Sequence, residues 1–319
     1  MAGPSSVFTE MVSTTLRNHA REVVDNISDN NALLRAMKRR GNIKTESGGY
    51  ELVFPLEYAN NSTYQRYSGY DTLNVNASDV ITAARYDWAQ IALHVTASGR
   101  ELRQNNSKEA MIKLVRARID NARHTASNNL SIDIYSDGTF SNQIQGLAAL
   151  VNSAGTGTVG DINSSNFSFW QNQFLEYSGT PGTANIGTMF NQLWMPCVRG
   201  NDKPDLIVLS QDYYSFYEGS LQSNQRYMKL DSAALGFDEL MYKSAAVIFD
   251  DNSNFGTTAQ VGYFLDTKYL YLVQHSEAQW TQDDDKKPVN QDAVVVPLFW
   301  MGQLCTTFRN GQGKLVNAS

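Results

Sequence analysis

Ser98-Gly99-Arg100-Glu101-Leu102-Arg103-Gln104-Asn105 opens the stretch that decides the fold. A Ser followed three positions later by Glu is a capping box, in which each side chain satisfies the other residue's backbone N–H at a helix start. After a polar break at Gln104-Asn105-Asn106, Ser107 is placed to cap a second stretch. Met111, Leu114, Val115, Ile119, Ala122, Ala126 and Leu130 then recur at the helical period. Tyr135-Ser136-Asp137-Gly138-Thr139 stops the pattern with turn chemistry. The spacing predicts one long helix from about Ser98 to Ile134, of which residues 108–134 alone would span roughly 40 Å at ~1.5 Å per residue. A single narrow apolar stripe with polar remaining faces describes a strut rather than a core helix.

On the N-terminal side, Tyr50 to Tyr58 reads as a strand, with Pro55 pushing it toward an edge or bulge. Ala84 to Thr96 reads as its partner, with Ile91, Leu93 and Val95 on one face and Gln90, Ala92 and His94 on the other. Between them, Asn60 to Asp79 is rich in Asn, Ser, Tyr and Gly and has little with which to build a core. A hairpin that long must pack on something else, and Tyr is a good interface residue. Tyr58, Tyr64, Tyr67 and Tyr70 are therefore candidate inter-subunit contacts on an arm that lies against a neighbouring copy. Further upstream, Val7 to Arg40 reads as two helices separated at Asp25 to Asn31. Gly41 stops the second, and Lys38, Arg39 and Arg40 suit the negative end of its dipole.

Downstream, Gly146-Leu147-Ala148-Ala149-Leu150-Val151 reads as a short buried strand or a helical turn, and loops follow to about Asn185. Ile186 to Arg199 and Gln211 to Gln222 read as helices, the second with an aromatic face from Tyr213, Tyr214, Phe216 and Tyr217. Asp205 to Ser210, Ala245 to Phe249, Val261 to Leu265, Tyr269 to Gln274 and Ala293 to Trp300 read as strands. Helix, hairpin, long helix, then mixed helix and strand is α+β order, not a βαβ alternation.

At 319 residues the chain can bury a large core without staples. A net charge of −6 argues against a dedicated nucleic-acid binder but not against enclosing nucleic acid. Cys197 and Cys305 read as two buried free thiols. Met1 to Ser6 has neither a basic nor an apolar leader region, and no apolar run reaches membrane-spanning length. The expectation is a protein made in a reducing cytoplasm.

The candidates for chemistry are weak. Gly155-Thr156-Gly157-Thr158-Val159-Gly160 matches the dinucleotide-binding glycine pattern, and Glu176 sits near the spacing of a ribose carboxylate. That motif needs a strand before it and a helix opening at its end, whereas Asp161-Ile162-Asn163-Ser164-Ser165 follows here, which is loop chemistry. His19, His94, His124 and His275 make no zinc spacing, and Asp283-Asp284-Asp285-Lys286-Lys287 lacks that of a calcium loop. The expectation is no catalysis, no cofactor and no metal.

Taken together, the N-terminal helical arm, the long hairpin, the capped helix from Ser98, the stop at Tyr135 to Thr139 and Gly146-Leu147 resemble the major capsid proteins of tailed bacteriophages. The runs Gly236 to Leu240 and Ala246 to Asp251 resemble their apical-domain strand, and the likeness in order and spacing covers nearly the whole chain. The resemblance implies the Hong Kong 97 phage capsid fold: an N-arm over 1–45, an extended loop over 46–97, a spine helix and first part of a peripheral domain over 98–145, a mainly axial domain over 146–265, and a return to the peripheral domain over 266–319. It implies a subunit of pentamers and hexamers in an icosahedral virion shell around double-stranded DNA, assembled in the host cytoplasm. A separate scaffolding protein, a portal and a decoration protein are the implied partners, with no membrane. Some relatives cross-link through a Lys in the extended loop; with no Lys between Lys44 and Lys108, that chemistry is not expected. Two alternatives stay open at this point: an encapsulin-type compartment shell, and a nucleotide-binding enzyme using Gly155 to Gly160.

Overall fold

The computed structural model describes residues 31–76, 78–104, 108–221, 240–251, 255, 260–282 and 292–317. The first of the two helices expected over Val7 to Arg40, His19, the Ser107 cap, residues 236–239 and the turn at 283–287 lie outside these; the second of the two helices is seen at Ala32–Arg39.

In chain order the chain forms α1 (Ala32–Arg39), β1 (Ile43–Glu46), β2 (Leu52–Glu57), β3 (Ile81–Tyr86) and β4 (Ala89–Ser98). Next come α2 (Gly99–Gln104), the long α3 (Lys108–Tyr135), α4 (Leu147–Leu150), β5 (Thr158–Val159), β6 (Ile162–Asn163) and β7 (Gln173–Tyr177). Then follow α5 (Ile186–Cys197), β8 (Leu206–Leu209), α6 (Gln211–Ser220), β9 (Leu240–Tyr242) and β10 (Ala245–Phe249). β11 (Val261–Leu265), β12 (Leu270–Gln282), β13 (Ala293–Thr306) and β14 (Gly313–Asn317) complete the described chain. The architecture is α+β, as the element order implied.

α2 begins as its sequence specifies. The Ser98 N–H donates to Glu101 Oε2 at 3.0 Å and the Glu101 N–H donates to Ser98 Oγ at 3.3 Å. Glu101 also receives the guanidinium of Arg118 at 2.7 Å, which ties α2 to α3 across residues 105–107. Ile119, Ala122, Ala126, Leu130 and Ile134 form the buried stripe. They join one apolar cluster with β4 and with the inner faces of β12 and β13. Gly138, at φ +71°, makes the stop.

Beneath α3 runs a four-stranded sheet in the order β1-β12-β13-β4. β1 is parallel to β12; the other pairs are antiparallel. The hairpin reading needs one correction here. β2 pairs with β3, from Leu52 opposite Tyr86 to Glu57 opposite Ile81. Residues 89–98 do not continue that strand but pair with Ala293 to Gly302 in the four-stranded sheet. Alternation runs on through Asp87-Trp88, so periodicity alone merges two strands that have different partners. Trp88 fixes the corner between them by donating its indole N–H to the Gly49 carbonyl at 3.0 Å. The alternation within residues 90–95 holds: Gln90, Ala92 and His94 are exposed, while Ile91, Leu93 and Val95 turn inward.

A six-stranded sheet, β7-β14-β11-β8-β10-β9, forms the second layer. Both its faces are covered, which is why β8 is apolar at every position. Ile207 and Leu209 face α5 and α6, whereas Leu206 and Val208 face the cluster that contains α3. On α5, Met189, Phe190, Leu193, Trp194 and Cys197 fall on one side, the spacing of a helix laid on a sheet. β14 was not visible in the sequence, because Gly313 and Lys314 dilute its apolar signal. The glycine is required: a Cβ there would lie 2.6 Å from Cys197 Sγ, so its absence lets α5 settle onto the sheet.

Two turns carry the chain from one sheet to the other, at Asp266 to Tyr269 and at Thr307 to Gln312. Gln312 locks them together. Its Oε1 accepts the Asp266 N–H at 3.0 Å and its Nε2 donates to the Asp266 carbonyl at 3.1 Å. Arg40, at the end of α1, ion-pairs with Asp205 and donates to Thr267, so the N-terminal helix is fastened to the same junction.

Candidate functional site

The base of the β2–β3 hairpin is built into its own chain. Leu52, Leu56, Ala84 and Tyr86 are buried. Phe54 meets Tyr86 edge-on at 6.1 Å and stacks on Tyr271 at 6.2 Å. The Tyr86 hydroxyl donates to the Thr306 carbonyl at 2.8 Å, and burial pushes its phenol far up, so it stays neutral. At the open end of the ladder Tyr58 lies against Phe169, with ring centroids 5.5 Å apart.

Beyond the rung from the Tyr58 N–H to the Val80 carbonyl, polar side chains hold the two limbs together. The Ser62 N–H donates to Ser78 Oγ at 2.9 Å, and Gln65 spans to the Thr72 carbonyl and the Asn74 N–H. Such bonds shape the tip without burying it. Among the described residues fifteen large apolar side chains are exposed, and eight of them lie between Tyr50 and Ile81. Tyr64, Tyr67 and Tyr70 are 81%, 67% and 107% exposed. Of the four tyrosines singled out in the sequence, then, three crown the tip together and Tyr58 stays at the base. Leu73 and Val75 near the tip and Ile81 at the start of β3 are exposed as well. The alternation Thr72-Leu73-Asn74-Val75-Asn76 was the signal that could have marked them.

Gly155 to Gly160 is a loop closed by the β5–β6 hairpin, and no helix opens at its end. The Arg309 guanidinium fills its inner side. It donates to the Leu150 carbonyl at 2.7 Å, Ser164 Oγ at 2.8 Å, the Trp170 carbonyl at 3.1 Å and the Thr156 carbonyl at 3.4 Å. A phosphate cradle presents backbone N–H groups to an anion; this loop instead turns the Thr156 carbonyl, with oxygens of the segments that flank it, toward a cation of the same chain. Its glycines serve the turn, at φ +69°, +104° and +57°. Glu176 lies on β7 and faces solvent.

Both cysteines are free and buried, and burial pushes the Cys197 thiol up to about 12 and Cys305 higher still, which disarms them as nucleophiles. His94 and His124 are exposed and His275 is half-buried on another strand. Among the described residues no group of three or more His, Cys, Asp or Glu is placed to hold a metal, and no helix is long and apolar enough to cross a membrane. Among the described residues, the largest gathering of exposed apolar side chains is on and beside the hairpin arm.

No protein-family model matches the chain, and no curated protein does. Solved structures do. The capsid asymmetric unit of cyanophage A-1(L) aligns at TM-score 0.60 and 14% identity, over 86% of this chain and 90% of that one. A chain of Mycobacterium phage Cain aligns at 0.55 and 12%, over 87% and 89%. The capsid of the myophage XM1 aligns at 0.53 and 13%, over 88% and 91%. At such identities it is the architecture that is shared, and it is shared almost from end to end: the chain has the phage capsid fold, the Hong Kong 97 architecture.

Proposed function

We propose that this chain is the structural subunit of a tailed-phage head, assembling into pentamers and hexamers of an icosahedral shell around double-stranded DNA and carrying no catalytic site. The observation that carries the reading is the arm: a capsid fold in which, among the described residues, about half of the exposed large apolar side chains gather on one hairpin. A surface of that kind is stabilised only when a neighbour covers it. Residues 46–97 are then the extended loop and 1–45 the N-arm. α2 and α3 form the spine of a peripheral domain over 98–145 that 266–319 rejoins, with β14 lying in the six-stranded sheet. Residues 146–265 supply most of an axial domain, supported by the separate apolar cluster around α5 and α6. The polar faces of α3 would line the inner wall and subunit seams. A scaffolding protein, a portal and a decoration protein are the partners this role requires or admits, and the virion is its location.

The test is to express the full chain alone and with the head genes beside it, and to examine the product by electron microscopy and sedimentation. The expected product is megadalton shells, rings or capsomers. A compact monomer under every such condition overturns the reading.

A further inference from the structure

The hairpin has two outer edges, and they differ. The rung from the Tyr58 N–H to the Val80 carbonyl sets the phase of the ladder. Leu56 with Thr82 and Phe54 with Ala84 exchange bonds across it, so Pro55, Ile81, Ala83 and Arg85 turn their backbone groups outward. On the β2 edge Pro55 has no N–H to offer, which closes that edge to another strand. On the β3 edge the Arg85 N–H is taken by the Gly160 carbonyl at 3.0 Å. Among the described residues, Ile81 and Ala83 have no outward backbone bond. A groove of about 460 Å³ runs along this open edge, walled by the rings of Tyr58, Phe167 and Phe169.

We infer that this edge takes a strand from a second copy of the chain, and that the strand is residues 72–76 of the neighbour's hairpin tip. Among the described residues that segment pairs with no strand of its own chain. Its side chains alternate as a strand's do, with Leu73 and Val75 exposed at 50% and 88% between Thr72, Asn74 and Asn76. Five residues of tip match the five from Asp79 to Ala83 along the open edge. Strand addition supplies the missing backbone partners and lays Leu73 and Val75 into the aromatic groove. The contact joins tip to base, so it is heterologous and passes from copy to copy around an axis. It rests on the shell-subunit reading and specifies which surfaces meet within it.

The test uses the full chain with paired cysteines, Leu73→Cys with Ile81→Cys and Leu73→Cys with Ala83→Cys, oxidised after assembly. Gln65 bonds Thr72 and Asn74 while Tyr58 pairs with Val80, so positions 73 and 81 lie at different levels of the hairpin, out of reach of a disulfide within one chain. Cys197 and Cys305 are buried and stay silent. One of the two pairs is expected to give a ladder of dimers, trimers and larger species on a non-reducing gel, while each single variant stops at dimer. Particles without a ladder from either pair overturn this inference and leave the shell reading standing. Absence of particles from the unaltered chain overturns both. Ala83→Pro is the second probe, because it removes only the outward N–H and leaves the hairpin's own rungs in place. It is expected to melt within about 2 °C of the parent yet fail to assemble, whereas Ala83→Ser assembles. Particles of Ala83→Pro in parental yield overturn the inference.

Discussion

Arg309 shows how a single residue can settle the meaning of a motif elsewhere. In the sequence, Gly155 to Gly160 matches a possible anion loop, and nothing in Phe308-Arg309-Asn310-Gly311 marks Arg309 as its partner. In the fold they are one object, a buried guanidinium ringed by carbonyl and hydroxyl oxygens. Neither segment announces the other, because the match depends on a separation of about 150 residues that no local pattern encodes. Arg309→Leu would strip donors from several buried oxygens at once and should cost about 3 kcal/mol or more, read from the urea midpoint. Arg309→Lys should recover only part of it, since an ammonium cannot reproduce the planar fork. Asp266 makes a second prediction at this scale. Burial, and then the nearby Asp205 carboxylate, push its carboxyl up to about 6. A raised carboxyl favours the protonated form in the fold, so the penalty is absent below the ordinary pKa near ~4, grows between about 4 and 6, and is constant above. Asp266→Asn keeps an acceptor for the Lys268 N–H. It should therefore stabilise the protein by on the order of 1–2 kcal/mol at pH 7.5 and by nothing below pH ~4. Equilibrium unfolding at the two pH values checks this.

At the scale of elements, α2 and the long α3 were the most legible parts of the chain, because the cap of α2 and the stripe and stop of α3 are each written locally. The sequence read them as one helix from Ser98 to Ile134, whereas α2 ends at Gln104 and α3 begins at Lys108, with residues 105–107 outside the described ones. The cap is present with both of its reciprocal bonds, and Ser98→Ala should cost about 1 kcal/mol. Leu130, buried in the middle of the stripe, should cost about 3 kcal/mol as Leu130→Ala, measured by the same unfolding curves. The strands were less legible, for two reasons. Partner choice is not local, so residues 84–96 read as one strand although Asp87-Trp88 divides it between two sheets. Short or glycine-bearing strands give little period, which hid β1, with its mostly exposed residues, and β14, whose Gly313 is there to admit α5. The hairpin tip was legible as a coreless segment rich in Tyr and Asn, and it is one. What the sequence could not rank was Leu73 and Val75, whose exposure depends on the limbs standing clear of the body.

On the scale of the whole molecule, the two sheets share the crossovers at Asp266 and Gln312 and a packed interior, so the core of the body closes within one chain. The arm past Tyr58 adds exposed apolar side chains without a core of its own. This division predicts that mutations separate cleanly between folding and assembly. Core changes such as Leu130→Ala should lower the stability of the isolated subunit. Replacing Tyr64, Tyr67 and Tyr70 together by Ser should leave it within about 0.5 kcal/mol, because fully exposed side chains contribute little to a monomer. Covered by a neighbour, each tyrosine is worth about 1 kcal/mol or more, so the triple variant loses roughly 3 kcal/mol per contact and about 100-fold in its equilibrium constant. The concentration at which particles appear should rise at least tenfold, read by light scattering across a dilution series. The unaltered chain should also melt at a higher temperature as protomer concentration increases, since binding between copies stabilises the folded form by mass action. The triple variant should lose that concentration dependence while keeping the melting temperature of the dilute parent. A variant that melts early at every concentration would place these tyrosines in the subunit's own stability instead of in the contacts between copies.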